Sequence, residues 1–472
     1  MLSRRFKFCF LVAMSLIGLQ VLSADNAPVK FYNLRTDNAV VPLPARIPNV
    51  GNCTGMGRTI IDPNFKTHIT RITDCSMAPA QQAFSIGDDG NNNLFSTDDS
   101  HLIVTAVTGE SYVISLDPTA TRLNPQPTSF AASKIMFSRV RPNVIYQLDG
   151  TQIIKYTFDS ETDPNWAAPD KSVLFDFASD KCMGEGYQAT WSAGLTIAYH
   201  DEVFGSAFSD SGGQGTGYHI VVYTPKKGCR VLDTRTMEIT GQWGPTGRAV
   251  DKDGKDMTAK FTIHMGGVLL NPAYSSFAVM IGSGKDLDGE TTGCVAGDCV
   301  DFSPYIWSHD GLSLNVCTLD ACQGHSAKGY QGFATGVGLS YFKYDNFNVP
   351  PVELNPYGPR SSVTDIHGSW NNGGIEDKSP AFIVTSVAPA KIATPYPFPF
   401  YQEVDAADGN YMYRACHNFN STKSPFFQVA HAIGVVSTSG NLVAFASDWQ
   451  NTLGVDLENR PRGDVFVVKL NY

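Results

Sequence analysis

An all-β fold is predicted for this chain of 472 residues by three features of its sequence. Charged residues make up only 17%, against about 25% in an average globular domain, so there are too few Glu, Lys and Arg side chains to clothe long solvated helices or a coiled coil. Apolar residues at 42% and aromatic residues at 11% suffice for a large packed core. These apolar positions fall in short alternating or continuous runs rich in β-branched and aromatic residues, separated by turns of Gly, Asn, Asp and Pro, which is the patterning of strands. The net charge of -10 argues against polyanion binding by bulk charge, so nucleic acid is not expected as a partner.

The runs repeat. Phe95-Ser96-Thr97-Asp98-Asp99-Ser100-His101-Leu102-Ile103-Val104 and Val436-Ser437-Thr438-Ser439-Gly440-Asn441-Leu442-Val443-Ala444-Phe445 share an apolar residue, Ser-Thr, a polar turn and a buried strand. A second strand follows each, Tyr112 to Asp117 in one case and Asp464 to Leu470 in the other. Weaker copies begin at Met136-Phe137-Ser138, at Thr190-Trp191-Ser192 with a buried strand Leu195 to Tyr199, at Leu269-Leu270-Asn271-Pro272, and at Ser369-Trp370 with Pro380 to Thr385. Such antiparallel units cannot bury both faces alone, and stacking them radially about an axis solves this. The expectation is a single β-propeller. Six copies are visible, and the segments Thr59 to Asp62 and Ile69 to Thr73 supply a seventh by joining the C-terminal strand and closing the ring. Seven blades on this length leave long rim loops, the richest at 204–217, 244–260, 284–304 and 350–360, and function tends to sit on such loops.

The N-terminus reads Arg4-Arg5-Phe6-Lys7, then an apolar stretch from Phe8 to Leu19, then Ser23 and Ala24. This is the pattern of a secretory signal peptide, too short to serve as a transmembrane anchor. The expected organisation is a signal peptide over 1–24, an N-terminal extension over 25–58 and the propeller over 59–472, in a secreted or periplasmic protein. Nine of the ten cysteines then remain. In an oxidising compartment they read as disulfides rather than zinc ligands: Cys53 with Cys75 and Cys182 with Cys229, Cys294, Cys299, Cys317 and Cys322 oxidised among themselves, and Cys416 left as the free thiol. Asn52-Cys53-Thr54 and Asn420-Ser421-Thr422 are N-glycosylation sequons in a eukaryotic setting.

The motifs of serine hydrolases, zincins, P-loop proteins and dinucleotide-binding enzymes are absent from the sequence. The chemistry-bearing residues cluster in the last third. His325, Lys328 and Tyr330, bracketed by small residues, form a candidate acid/base set. His367 is followed by Trp370, Asn371 and Asn372, where an aromatic ring and amides suit a sugar. Arg414 and His417 stand on one run, Arg414 as the partner of an acidic group and His417 as a binding residue, and Gln428 and His431 precede the clearest repeat. Imidazole nitrogens and an amide oxygen at His367, Gln428 and His431 suit a divalent ion such as Mn²⁺ or Zn²⁺. Two D-x-D-G loops, Asp251 to Asp256 and Asp286 to Glu290, have carboxylates of the kind that wrap Ca²⁺ but read as solvated turns.

The Gln428-x-x-His431 spacing ahead of a blade turn resembles the oligogalacturonate lyases, β-propeller enzymes in which a Q-x-x-H-x-H element helps hold a divalent metal. Ile433 stands here in place of the last histidine. The closing Asp464 to Leu470 strand and the Ser-Thr turns look like the wider TolB-like propeller group. The resemblance implies β-elimination from a uronic-acid-containing glycan, with His325 or His367 as base, Arg414 on the carboxylate and Tyr330 or Lys328 as acid. The alternative is a non-catalytic propeller that binds a glycan, a small molecule or a protein on its rim.

Overall fold

The computed structural model describes residues 34–36, 41–78, 81–86, 93–159, 162–210, 216–217, 219–251, 253–257, 263–270, 277–282, 303–316, 329–334, 338–343, 352–353, 365–369, 381–386, 402–408, 411–421, 424–426, 429 and 432–470. Among these, residues 216–217, 263–270, 277–282, 303–306, 315–316, 329–334, 338–343, 352–353, 365–368, 381–386, 407–408 and 411–412 are described by their backbone only.

Among the described residues the strands fall into seven antiparallel sheets, most of them running through neighbouring segments in chain order. One sheet is different. The strands Thr59–Ile61 and His68–Arg71 pair with each other, and His68–Arg71 then pairs with Asp464–Lys469, placing His68 opposite Lys469 and Arg71 opposite Phe466. Leu442–Ser447 and Gly434–Val436 complete this sheet. The two ends of the chain are thus sewn into one sheet, as expected of a closed ring, but these strands complete the unit at Val436 rather than supply a further one; the additional sheet is formed by Gly329–Ala334, Gly338–Lys343 and Val352–Glu353.

Packing shows how the sheets are stacked. Within Asp464–Lys469, Val465 and Val467 face one cluster, with Leu442, Ala444, Phe84 and Ile114, while Phe466 and Val468 face another, with Val443, Phe445, Val404 and Ala415. The period-two alternation of a strand therefore sends successive side chains to two different neighbouring sheets. Both faces are buried, which is why the run reads as continuously apolar. The same division recurs in His219–Thr224, where Ile220 and Val222 pack toward Trp307 and Leu314 while Val221 and Tyr223 pack toward Tyr146 and Ile153. Each fully buried side chain of this size contributes roughly 1.5–3 kcal/mol of transfer free energy. Sheets that meet their chain neighbours face to face, with the ends joined in one of them, make a β-propeller.

The repeated turn is the same object in both copies. Ser96 N bonds to His101 O at 3.0 Å and Ser437 N to Leu442 O at 2.8 Å, while each serine hydroxyl accepts the main-chain N–H five residues on, at 2.9 and 3.1 Å. The fourth position is left-handed in both, Asp99 at φ 61° and Gly440 at φ 79°. Asp99, unlike a glycine there, carries a carboxylate that accepts from Ser437 Oγ at 2.9 Å and from Ser439 Oγ. One unit's turn is thereby tied to the next. Asp201, also left-handed at φ 55°, ties its unit in the same way to Ser138 Oγ at 2.6 Å and Arg139 N at 2.8 Å.

Two segments differ from the sequence reading. Phe204–Ser209, expected as part of a rim loop, is a fully buried strand; its Gly, Ser and Ala residues hide its apolar character, and small residues suit the space between two sheets. The expected strand Leu195 to Tyr199 is instead a short piece, Thr196–Ile197, followed by a 3-10 turn at Tyr199–Asp201. Together with Trp191–Ser192 it makes a broken edge on Phe204–Ser209.

Cys53 pairs with Cys75 and Cys182 with Cys229, at Cα separations of 5.2 and 5.3 Å, and Cys416 is a buried free thiol, all as expected. Cys294, Cys299, Cys317 and Cys322 lie outside the described residues, as does the signal segment. The disulfides fit an oxidising compartment, and no helix among the described residues is long and apolar enough to cross a membrane. Of the sequons, Asn52 is exposed, whereas Asn420 is buried with its amide donating to Val429 O.

Candidate functional site

Among the residues singled out from sequence, Arg414 and His417 have described side chains. Both lie on Tyr411–His417 and both are completely buried. Arg414 donates to Glu403 through Nε at 2.9 Å and Nη2 at 2.7 Å. His417 places Nδ1 3.1 Å from Asp62 Oδ2 and Nε2 3.2 Å from Val41 O, with the Phe65 ring edge-on at 4.8 Å. Burial works to raise the Asp62 pKa, but hydrogen bonds from the His417 side chain and main chain outweigh it and hold the carboxyl below its ordinary value. Burial and the neighbouring Asp405 push Glu403 well up, and burial pushes up the Cys416 thiol as well.

This is a correction to the expected rim positions. The side chains that were to meet a ligand meet other parts of the chain instead, Arg414 at Glu403 and His417 at Asp62 and Val41 O, and the N-terminal segment runs along this strand through the Arg35–Arg414 bridge. Both contacts are sealed from solvent, and that of His417 joins this strand to the N-terminal segment.

The remaining candidates are not brought together by the described side chains. Tyr330 lies on Gly329–Ala334 and His367 on Asp365–Ser369, with only their backbones described. His325, Lys328, Trp370, Asn371, Asn372, Gln428 and His431 lie outside the described residues. Ile433, which stands where the resembling element has its last histidine, is buried in the core. Among the described residues no group of three or more His, Cys, Asp and Glu could hold a metal ion. The first D-x-D-G loop is closed on itself: Asp251 Oδ1 accepts from Asp253 N at 2.9 Å and Lys255 N at 3.0 Å. The second, from Asp286 to Glu290, lies outside the described residues.

A site that sequence reading missed is a cleft of about 240 Å³ between turns of two neighbouring sheets. Its walls are Asp201 to Val203 ahead of Phe204–Ser209, Thr224 to Lys227 between His219–Thr224 and Gly228–Asp233, Trp243, and His309 with Asp310 after Ser303–Ser308. Trp243 is half-buried, its Nε1 donating to Gly228 O at 3.2 Å. The buried Arg230 guanidinium lies 5.4 Å from the ring centre and is fixed by the carbonyls of Trp243, Pro245 and Gly311. Lys227 Nζ lies 4.8 Å from the same ring and 3.7 Å from Asp310. This lysine is 57% exposed, and an exposed cation–π contact is worth only about 0.5–1 kcal/mol. Lys226 and Glu202 form a second exposed pair at 3.4 Å.

The cleft thus combines an indole with a wet rim of both charge signs. The sequence signal that marks it is the dipeptide Lys226-Lys227 in a turn and the isolated Trp243 between glycines.

The chain matches no known family model and no curated protein. Solved structures similar to it include an oligogalacturonate lyase of Vibrio parahaemolyticus, 9% identical over 87% of this chain and 96% of that chain with a TM-score of 0.43. Another is the Dos1 propeller, 11% identical over 80% of this chain and 77% of that chain with a TM-score of 0.36. The β-propeller architecture itself rests on the seven antiparallel sheets of the described residues and on the joining of the chain's two ends in one of them.

Proposed function

We propose that this protein is an exported, seven-bladed β-propeller that binds a glycan in the cleft at Trp243, without cleaving it. The observation that carries this reading is the half-buried indole in a cleft of about 240 Å³, with the Nζ of the exposed Lys227 4.8 Å from the ring centre. A pyranose ring stacks its C–H face on an indole, and Glu202, Lys226 and Asp310 supply acceptors and donors for its hydroxyls. The alternative, β-elimination from a uronic-acid-containing glycan, is carried by the Gln428-x-x-His431 spacing, with His367, Gln428 and His431 holding Mn²⁺, Zn²⁺ or Ca²⁺. Of the residues assigned to that chemistry, Arg414 is already bonded to Glu403 and closed to solvent.

Titrating a panel of neutral and acidic oligosaccharides while following tryptophan fluorescence tests the binding reading. Saturable quenching that Trp243→Ala abolishes is expected, with no rise in the ultraviolet absorbance of unsaturated uronides. Chelator-sensitive growth of that absorbance overturns it in favour of the lyase.

A further inference from the structure

At the other end of the strands that form the cleft, Tyr187, His219, Asp210, Asp233 and Arg235 meet in a second polar cluster. His219 begins the strand whose last residue, Thr224, lines the cleft, and Asp233 ends the strand that starts at Gly228. From this arrangement we infer that the cluster is a further binding site, built for the hydroxyl groups of a neutral sugar. It extends the glycan-binding reading and takes its ligand class from it.

Hydrogen-bond logic settles the state of His219. Arg235 Nη2 lies 3.0 Å from His219 Nε2, and a guanidinium only donates, so Nε2 must accept. The ring proton is therefore on Nδ1, 3.1 Å from the Tyr187 hydroxyl oxygen. Burial holds this imidazole's pKa below its ordinary value, in keeping with a neutral ring. Because Tyr187 accepts from His219, its own O–H points elsewhere, and among the described residues it has no acceptor. Burial, then the charge of Asp210, raises the Tyr187 pKa, so the proton stays on the phenol.

On the far side of the imidazole, Asp233 Oδ1 is taken by Arg235 N at 2.8 Å and Nε at 3.4 Å. Asp233 Oδ2 lies 3.7 Å from Nε2, a nitrogen with no proton to give. Among the described residues, one donor and one acceptor beside His219 therefore remain open.

These groups are within reach of solvent: the side chains of His219, Asp233, Arg235 and Asp210 are 11%, 23%, 30% and 31% exposed. A polyol, whose hydroxyls both donate and accept, meets both groups. An anionic sugar is disfavoured, because Arg235 is already shared between two carboxylates, Asp210 at 2.9 Å and Asp233 at 3.4 Å. Proton abstraction is disfavoured too, since both nitrogens of His219 are engaged.

Calorimetric titration of the full chain with neutral oligosaccharides and their uronic-acid counterparts tests the site. In a Trp243→Ala background, which removes the cleft, one site for a neutral oligosaccharide is expected to remain. Tyr187→Phe and Asp233→Asn, which keep the shape of each side chain, are each expected to weaken it about tenfold, the size of one hydrogen bond, with melting temperature unchanged. No binding in the Trp243→Ala background, tighter binding of the uronides there, or indifference to both substitutions overturns the inference. Failure of the cleft reading shows itself separately, as a Trp243→Ala protein that binds the same number of ligands as the parent.

Discussion

Asp464→Asn is expected to loosen the seam that closes the ring. Asp464 begins the C-terminal strand and is fully buried, and it accepts from Arg71 Nη2 at 2.6 Å, Arg462 Nη2 at 2.9 Å and Thr73 Oγ1 at 2.9 Å. Both guanidiniums are as buried as the carboxylate. Asparagine preserves the volume, so no cavity opens, but it removes the one negative charge that faces two buried positive ones. Breaking a buried pair from one side costs about 3–5 kcal/mol, because the partner charge is left uncompensated. With an unfolding entropy of about 2.1 cal/mol/K per residue, a folded ring of roughly 400 residues has about 0.8 kcal/mol/K, so the melting temperature should fall by about 4–6 °C. Differential scanning calorimetry reads the shift, and hydrogen exchange should rise first in Thr59–Ile61 and His68–Arg71. Lys226→Ala is the control: it breaks an ion pair whose lysine is 86% exposed, and such pairs contribute little. A fall of less than 1 °C for Asp464→Asn, or one no larger than that of Lys226→Ala, would refute the argument that this carboxylate holds the ring closed.

The two disulfides, 22 and 47 residues apart in sequence, should each contribute about 3–4 kcal/mol by the loop-entropy relation; Cys53→Ser/Cys75→Ser and Cys182→Ser/Cys229→Ser proteins should therefore unfold at clearly lower denaturant concentration. His101 is stacked on Trp166 at 4.1 Å, and burial lowers its pKa to about 4. The unfolded chain then binds more protons than the folded one between about pH 6.5 and 4, so stability should decline as pH falls through that window, and His101→Gln should flatten this part of the stability–pH curve. Cys416, buried with its thiol pKa raised, should resist alkylation in the native protein and react once the chain is denatured; labelling at native rates comparable to a free thiol would contradict its placement.

What the sequence determined by itself is the architecture of the unit. Strand identity follows from local chemistry: Ser96 and Ser437 close equivalent turns with their own hydroxyls, and the apolar runs after them are buried whichever sheet comes next. The sequence offered Cys53 with Cys75 and Cys182 with Cys229 as natural partners in an oxidising compartment, and the structure pairs them over 22 and 47 residues. Phe204–Ser209 was not legible, since Gly, Ser and Ala carry a loop's composition into a buried strand. Tertiary structure alone decided the fate of the charged residues. An arginine and a histidine on one strand look the same in sequence whether they face solvent or a carboxylate brought in from the other end of the chain. Asp62 reaches His417 across 355 residues and Asp464 reaches Arg71 across 393. The Trp243 cleft and the cluster at His219 likewise arise where separate turns converge, because closing a ring of sheets sets distant loops side by side, and no local pattern records which of them will meet.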